Sequence, residues 1–184
     1  MSISVTFPAK RETLKDLKAG DIVSISGTIY AARDAAHKKI IALIDKGLPL
    51  PFEIRDQAIY YVGPCPEKPG QVIGSCGPTT SGRMDSYTPK LIELGLSGMI
   101  GKGERSATVK KAALEHGTIY FGCTGGAGAL LSRSVISSEV IAFPELGAEA
   151  VRKLCVKDFP AIVVIDSFGN NLYEIGREKY KAFT

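Results

Sequence analysis

Residues 21–47 read DIVSISGTIYAARDAAHKKIIALIDKG, and their two halves carry different periods. From Asp21 to Ala32 apolar residues alternate with serine and threonine, with β-branched residues throughout, which predicts a strand. From Arg33 the period changes: His37, Ile40, Ile41 and Ile44 fall at helical spacing, and Gly47 is placed to stop the helix. A strand that turns directly into an amphipathic helix is the unit of an α/β fold.

The rest of the chain repeats that theme. AIYYVG (58–63) predicts a short strand running into the loop PCPEKPG, and QVIGSCG (71–77) predicts a second one. Met84, Tyr87, Thr88 and Leu91 predict a helix that Pro89 interrupts. SGMIG, TIYFGC and AIVVID read as strands, ERSATVKKAALEHG as a helix, and TGGAGALL as a glycine-rich turn into a helix, while a further helix is expected near GAEAVRKLCV. The expectation is therefore an α/β domain with a mixed sheet, a single unit over 1–184, since 184 residues suit one sizeable core better than two.

An apolar fraction of 45% and a charged fraction of 23% are those of a globular protein, and the net charge of +4 comes without any block of five basic residues. That argues against nucleic acid as a partner and leaves room for a small anion. The first 20 residues lack an apolar run long enough for a signal peptide or a membrane span, so the expected location is the cytoplasm, with no membrane partner. Cys65, Cys76, Cys123 and Cys155 lie far apart with no CxxC, and do not by themselves form a zinc or iron–sulfur ligand set, so no metal site is expected on this chain.

Ligands of open α/β sheets bind beyond the carboxyl ends of the strands. There the sequence places Arg33 and Asp34, then Thr79, Thr80 and Arg83 in GPTTSGRMD, then Lys102 between Gly101 and Gly103, then Thr124–Gly126. Three cations with hydroxyls suit a dicarboxylate, because arginine grips a carboxylate with paired hydrogen bonds and lysine adds a compact charge. Each residue alone has a plainer reading: Arg33 pairing Asp34, Arg83 pairing Asp85, Lys102 in a solvated turn, the threonines as helix caps, His37 as a packed core residue. TGGAG lacks the third glycine of a dinucleotide fingerprint and reads better as a close-packing turn; a phosphate or nucleotide site rests on it alone.

ARDAAHKKI, GPTTSGRMD, GMIGKGERS and GCTGGAGALL, together and in this order, resemble the β subunit (or C-terminal domain) of the iron–sulfur-dependent class I fumarate hydratases and the related L-tartrate dehydratases. The resemblance runs from about Leu14 to Ile175. It implies a swivelling β/β/α domain, and a larger α subunit as partner that carries a [4Fe–4S] cluster on its own cysteines, so that this chain binds no cofactor and completes a shared site in a hetero-oligomer or dimer. It implies Arg33, Arg83 and Lys102 as substrate-binding residues and Thr79 as the candidate to exchange the carbon proton. Asp34, His37 and Asp85 would stand behind them. The implied reaction is reversible hydration of fumarate to (S)-malate, with the cluster's open iron as Lewis acid; SGRMD and KGERS look more like the fumarase branch than the tartrate branch. The chain would be inactive without its partner. A non-catalytic module that only binds a small dicarboxylate is the alternative from another class.

Overall fold

The computed structural model describes residues 2–181. Strand β2 (Ile22–Ala31) buries Val23, Ile25 and Ile29 and turns Ser24, Ser26 and Thr28 outward, as its alternation predicts. Strand β1 (Ile3–Phe7) runs parallel to its first half, from Ile3 opposite Val23 to Phe7 opposite Gly27. Helix α1 (Arg11–Leu14) is one turn, and α2 (Asp34–Asp45) follows β2 directly.

Strands β3 (Ala58–Tyr60), β4 (Gly98–Gly101) and β5 (Ile119–Gly122) continue the sheet from the second half of β2, all parallel. Helices α3 (Thr88–Glu93) and α4 (Ala107–His116) precede β4 and β5. After the single turn α5 (Gly128–Leu131), strand β6 (Val135–Ala142) pairs antiparallel with the long strand β7 (Val151–Ile165). Helix α6 (Leu172–Tyr180) ends the described chain.

β7 closes the sheet. It lies antiparallel to β5 through Tyr120, Phe121 and Gly122 and antiparallel to β2 from Ile22 opposite Ile162 to Ala31 opposite Arg152. The order β2–β3–β4–β5–β7 thus returns to β2 as a mixed, barrel-like sheet, with β1 and β6 added outside the ring.

Side chains of the short parallel strands are buried alternately in two clusters. Ala58, Tyr60, Ile100, Ile119 and Phe121 join Val23, Ile25, Phe159 and Val163 in one. Ile59, Tyr61, Met99 and Tyr120 join Ala36 and Ile40 of α2, Leu91 and Ile92 of α3, and Val109 and Ala113 of α4 in the other. Burial on both faces explains why these strands read as continuous apolar runs.

Three local expectations fail for identifiable reasons. Residues 71–77 are not a strand: both edges of β3 are already taken by β2 and β4, and this loop's backbone bonds go instead from Cys65 N to Ser75 O and from Cys76 N to Gly128 O. Pro89 does not interrupt α3, because the helix begins at Thr88 and proline in the first turn forfeits no intrahelical bond. The helix expected near GAEAVRKLCV is a short 3-10 segment (Pro144–Glu149) followed by the start of β7. Val151 and Leu154 have helical spacing, yet β2 and β6 pair this segment on both edges.

Candidate functional site at the strand ends

Because β2, β3, β4 and β5 are parallel, their carboxyl ends meet at one edge of the sheet. The loop from Thr79 to Asp85 is fixed across that edge by backbone bonds. Thr79 N–H donates to Tyr61 O (2.8 Å), just beyond β3, and Ser81 N–H donates to Lys102 O (2.8 Å), just beyond β4. Lys102 N–H in turn donates to Ser81 Oγ (3.0 Å), and the Tyr120 hydroxyl lies 2.9 Å from both Ser81 Oγ and Gly103 O. Thr79, Arg83 and Lys102 are thereby carried by one rigid backbone crossing.

Arg33 and Arg83 meet over a single carboxylate. Arg33 Nε donates to Asp34 Oδ2 (3.0 Å) and Arg83 Nε to Asp34 Oδ1 (2.7 Å). Partial burial opposes ionisation of Asp34, but its hydrogen bonds and the charges of the two arginines outweigh that and hold its carboxyl below the usual range. Arg83 remains half-exposed while its Nε is held by Asp34.

Lys102 follows β4 and passes beside Gly125 of the β5–α5 loop, within about 3.5 Å of where a Cβ there would sit. With Thr124, Gly125, Ile162, Val164, Leu172 and Tyr173 it lines an open cavity of about 300 Å³. Among the described residues its amine has no ion-pair partner. A slightly larger depression of about 340 Å³, between Leu50, Phe52, Glu53, Ile54 and Leu94, lies at the opposite, amino-terminal ends of the strands and offers no cation.

His37 is fully buried on α2, with its ring edge-on to Tyr61. Nδ1 lies 3.0 Å from Arg33 O, and since a carbonyl only accepts, the proton sits on Nδ1; Nε2 is buried without a partner. Burial lowers its pKa to about 4, the bond to Arg33 opposes that, and the nearby charge of Arg105 adds to the burial. The imidazole is neutral at pH 7 and packs beneath Arg33.

Asp85 does not pair Arg83. It takes Arg105 Nε (2.7 Å) and the backbone N–H of Ser106, at the start of α4. Arg105 is buried, reaches Thr88 Oγ1 (2.9 Å) and stacks over the rings of Tyr61 and Tyr120 at 5.1 and 5.2 Å. This pair ties the loop bearing Arg83 to the loop bearing Lys102.

Two participants escaped the sequence reading. Arg105 stands inside GKGERS but no local pattern distinguishes it from a surface arginine. Glu149 lies more than 110 residues from Arg33, yet its Oε1 is 3.5 Å from Arg33 Nη2 and its Oε2 accepts Ala35 N–H at 2.8 Å. Two close approaches complete the frame. A Cβ on Gly63 would come within 2.9 Å of Arg33 Cδ, and one on Gly128 within 2.7 Å of Gly77 N, so the TGGAG turn is a packing element against the GSCGP loop.

The four cysteines are free, and burial raises the thiols of Cys76 and Cys123 to about 11 and 12. Among the described residues no three His, Cys, Asp or Glu side chains converge on a point where a metal would sit, so the donors present do not fit an iron–sulfur cluster. No helix among the described residues is long and apolar enough to cross a membrane.

A parallel-strand edge to which two arginines, a lysine and a threonine are brought defines an α/β domain with a cationic site at its strand ends. The comparisons give that class a family: the model for the fumarase C-terminus matches residues 1–176, and the chain belongs to that family. It is 46% identical over 154 residues to the anaerobic class I fumarate hydratase of Escherichia coli K12, and 44% identical over 165 residues to fumarate hydratase 2 of Leishmania major. Those alignments cover 83% and 89% of this chain but only 28% and 29% of the relatives, so the chain spans less than a third of their length. A putative L(+)-tartrate dehydratase subunit beta of Methanocaldococcus jannaschii is 41% identical over 170 residues, covering 89% of this chain and 87% of that one.

Proposed function

We propose that this chain is the β subunit of a hydro-lyase that hydrates fumarate reversibly to (S)-malate, with the remainder of the site and a [4Fe–4S] cluster supplied by a separate α subunit. The observation that carries the reading is the convergence of Arg33 and Arg83 on Asp34 at the same strand edge that presents Lys102. The arginines hold one carboxylate through the guanidinium N–H groups that Asp34 and Glu149 leave free, and Lys102 pairs the other or the developing charge beside it. Thr79 exchanges the proton at the reacting carbon. A threonine hydroxyl is a very weak acid, so this role needs the neighbouring cations to stabilise its deprotonated form.

The test is anaerobic turnover by this chain reconstituted with a candidate α subunit, with fumarate and L-tartrate assayed in parallel. Fumarate turnover well above tartrate, lost in Thr79→Ala and absent from the chain alone, is the expected result. Malate-to-fumarate conversion by the isolated chain would sink the shared-site reading, and near-normal turnover of Thr79→Ala would return Thr79 to a loop role. A second reading, L-tartrate as substrate, is favoured by one observation: a relative covered over 87% of its length is named a putative L(+)-tartrate dehydratase subunit beta. It keeps the residues and changes the group that reads the extra hydroxyl.

A further inference from the structure

Glu149 sits at the end of the 3-10 segment that leads into β7, and its two oxygens face two different groups. One accepts Ala35 N–H, an orphan donor in the first turn of α2, where Arg33 as N-cap offers no side-chain cap. The other lies 3.5 Å from Arg33 Nη2. Asp34 meanwhile holds Arg33 through Nε, and the side chain runs so close past Gly63 that a Cβ there would lie 2.9 Å from its Cδ and 3.1 Å from its Nη1. The guanidinium is thus hydrogen-bonded at Nε and ion-paired at Nη2.

We infer that Glu149 is a positioning residue for carboxylate binding, holding the Arg33 guanidinium at the orientation in which it and Arg83 receive one carboxylate. The inference rests on the dicarboxylate reading above. Its physics makes a signed prediction. As a mere neighbouring charge, Glu149 repels a dianion, so its neutralisation would tighten binding. As a positioning residue its neutralisation frees Arg33, and binding weakens although a negative charge has been removed. Glu149→Gln separates the two, because the amide oxygen still accepts Ala35 N–H and the cap on α2 survives.

The experiment uses the full chain and two readouts. Without ligand, the Arg33 guanidinium is followed by nitrogen NMR, assigned by its loss in Arg33→Lys; restrained rotation in the wild type and faster rotation in Glu149→Gln are expected. An Arg33 signal unchanged in Glu149→Gln overturns the assignment, whatever happens with ligand. Fumarate is then titrated into the chain reconstituted with its candidate α subunit while Arg33 and Arg83 are monitored, and Glu149→Gln is expected to bind roughly 3- to 10-fold more weakly, the loss of one charge-assisted contact. Equal or tighter binding refutes the positioning role. If fumarate leaves the arginine signals of the wild type unmoved, the dicarboxylate reading falls and takes the carboxylate half of this inference with it, while the ligand-free signal still judges the contact between Glu149 and Arg33.

Discussion

Lowering the pH from 7.5 to 5 should destabilise this chain through His37. The folded imidazole titrates at about 4 against 6.5 when exposed, so between those values the unfolded chain binds the extra proton and the folded one does not. Stability is therefore complete above pH 6.5 and is lost as the pH falls towards 4. Integrating the two titrations, His37 alone removes about 2 kcal/mol between pH 7.5 and 5, a sizeable share of a stability of roughly 5–15 kcal/mol. Of the groups facing the ring, the bond to the Arg33 carbonyl and the charge of Asp34 favour protonation and Arg105 opposes it, with the rings of Tyr61 and Tyr87 alongside, so that burial, the largest effect, sets the sign. Urea unfolding at both pH values, on the wild type and His37→Leu, makes the measurement. Leucine is a fair replacement: Nε2 has no partner to lose, and Arg33 O keeps the backbone N–H of residue 37 at 2.9 Å. The wild type should lose about 2 kcal/mol more than the variant over this interval. Equal losses, or a His37 ring proton that titrates near 6.5, would refute the reasoning.

Two further substitutions probe the frame. Gly128→Ala drives a methyl against the backbone of Gly77, and should cost about 1–3 kcal/mol in thermal unfolding while weakening fumarate binding by disturbing the Thr79 loop; an unchanged melting temperature would mean the two loops are not packed as described. Arg105→Met leaves Asp85 largely buried with only the Ser106 amide, and should destabilise by about 3–5 kcal/mol in urea unfolding. A loss below about 1 kcal/mol would show that the pair is solvated rather than buried.

The parts of this fold that were legible in the sequence are those whose burial is local. β2 and α2 write their exposure into their spacing, and the parallel strands β3, β4 and β5 stand out as apolar runs. β1 is short and half-exposed, and it went unread. The amino-terminal half of β7 imitates a helix until its partners on both sides are known, and closure of the sheet by β2 and β7 joins segments some 130 residues apart, for which no local pattern exists. The site divides in the same way. Strand-end reasoning brought Arg33, Arg83 and Lys102 to one edge, because parallel strands deliver their ends together. The plainer alternative for Asp85, a surface pair with Arg83, gives way to its bond from the buried Arg105, and no local pattern points to Glu149, whose contacts depend on how the segment before β7 returns to α2.

The crowding of Arg33 against Gly63 has a consequence for descent as well as for binding. The side chain at 33, the absence of one at 63 and the carboxylate at 149 occupy a single small volume, so selection sees them together. A lineage that acquires a methyl at 63 must shorten or redirect residue 33, and one that abandons arginine at 33 releases the constraint on the other two. Across related chains these three positions are expected to covary as a unit although they are scattered over more than a hundred residues, and a chain that keeps arginine at 33 with alanine at 63 would mark a rebuilt site.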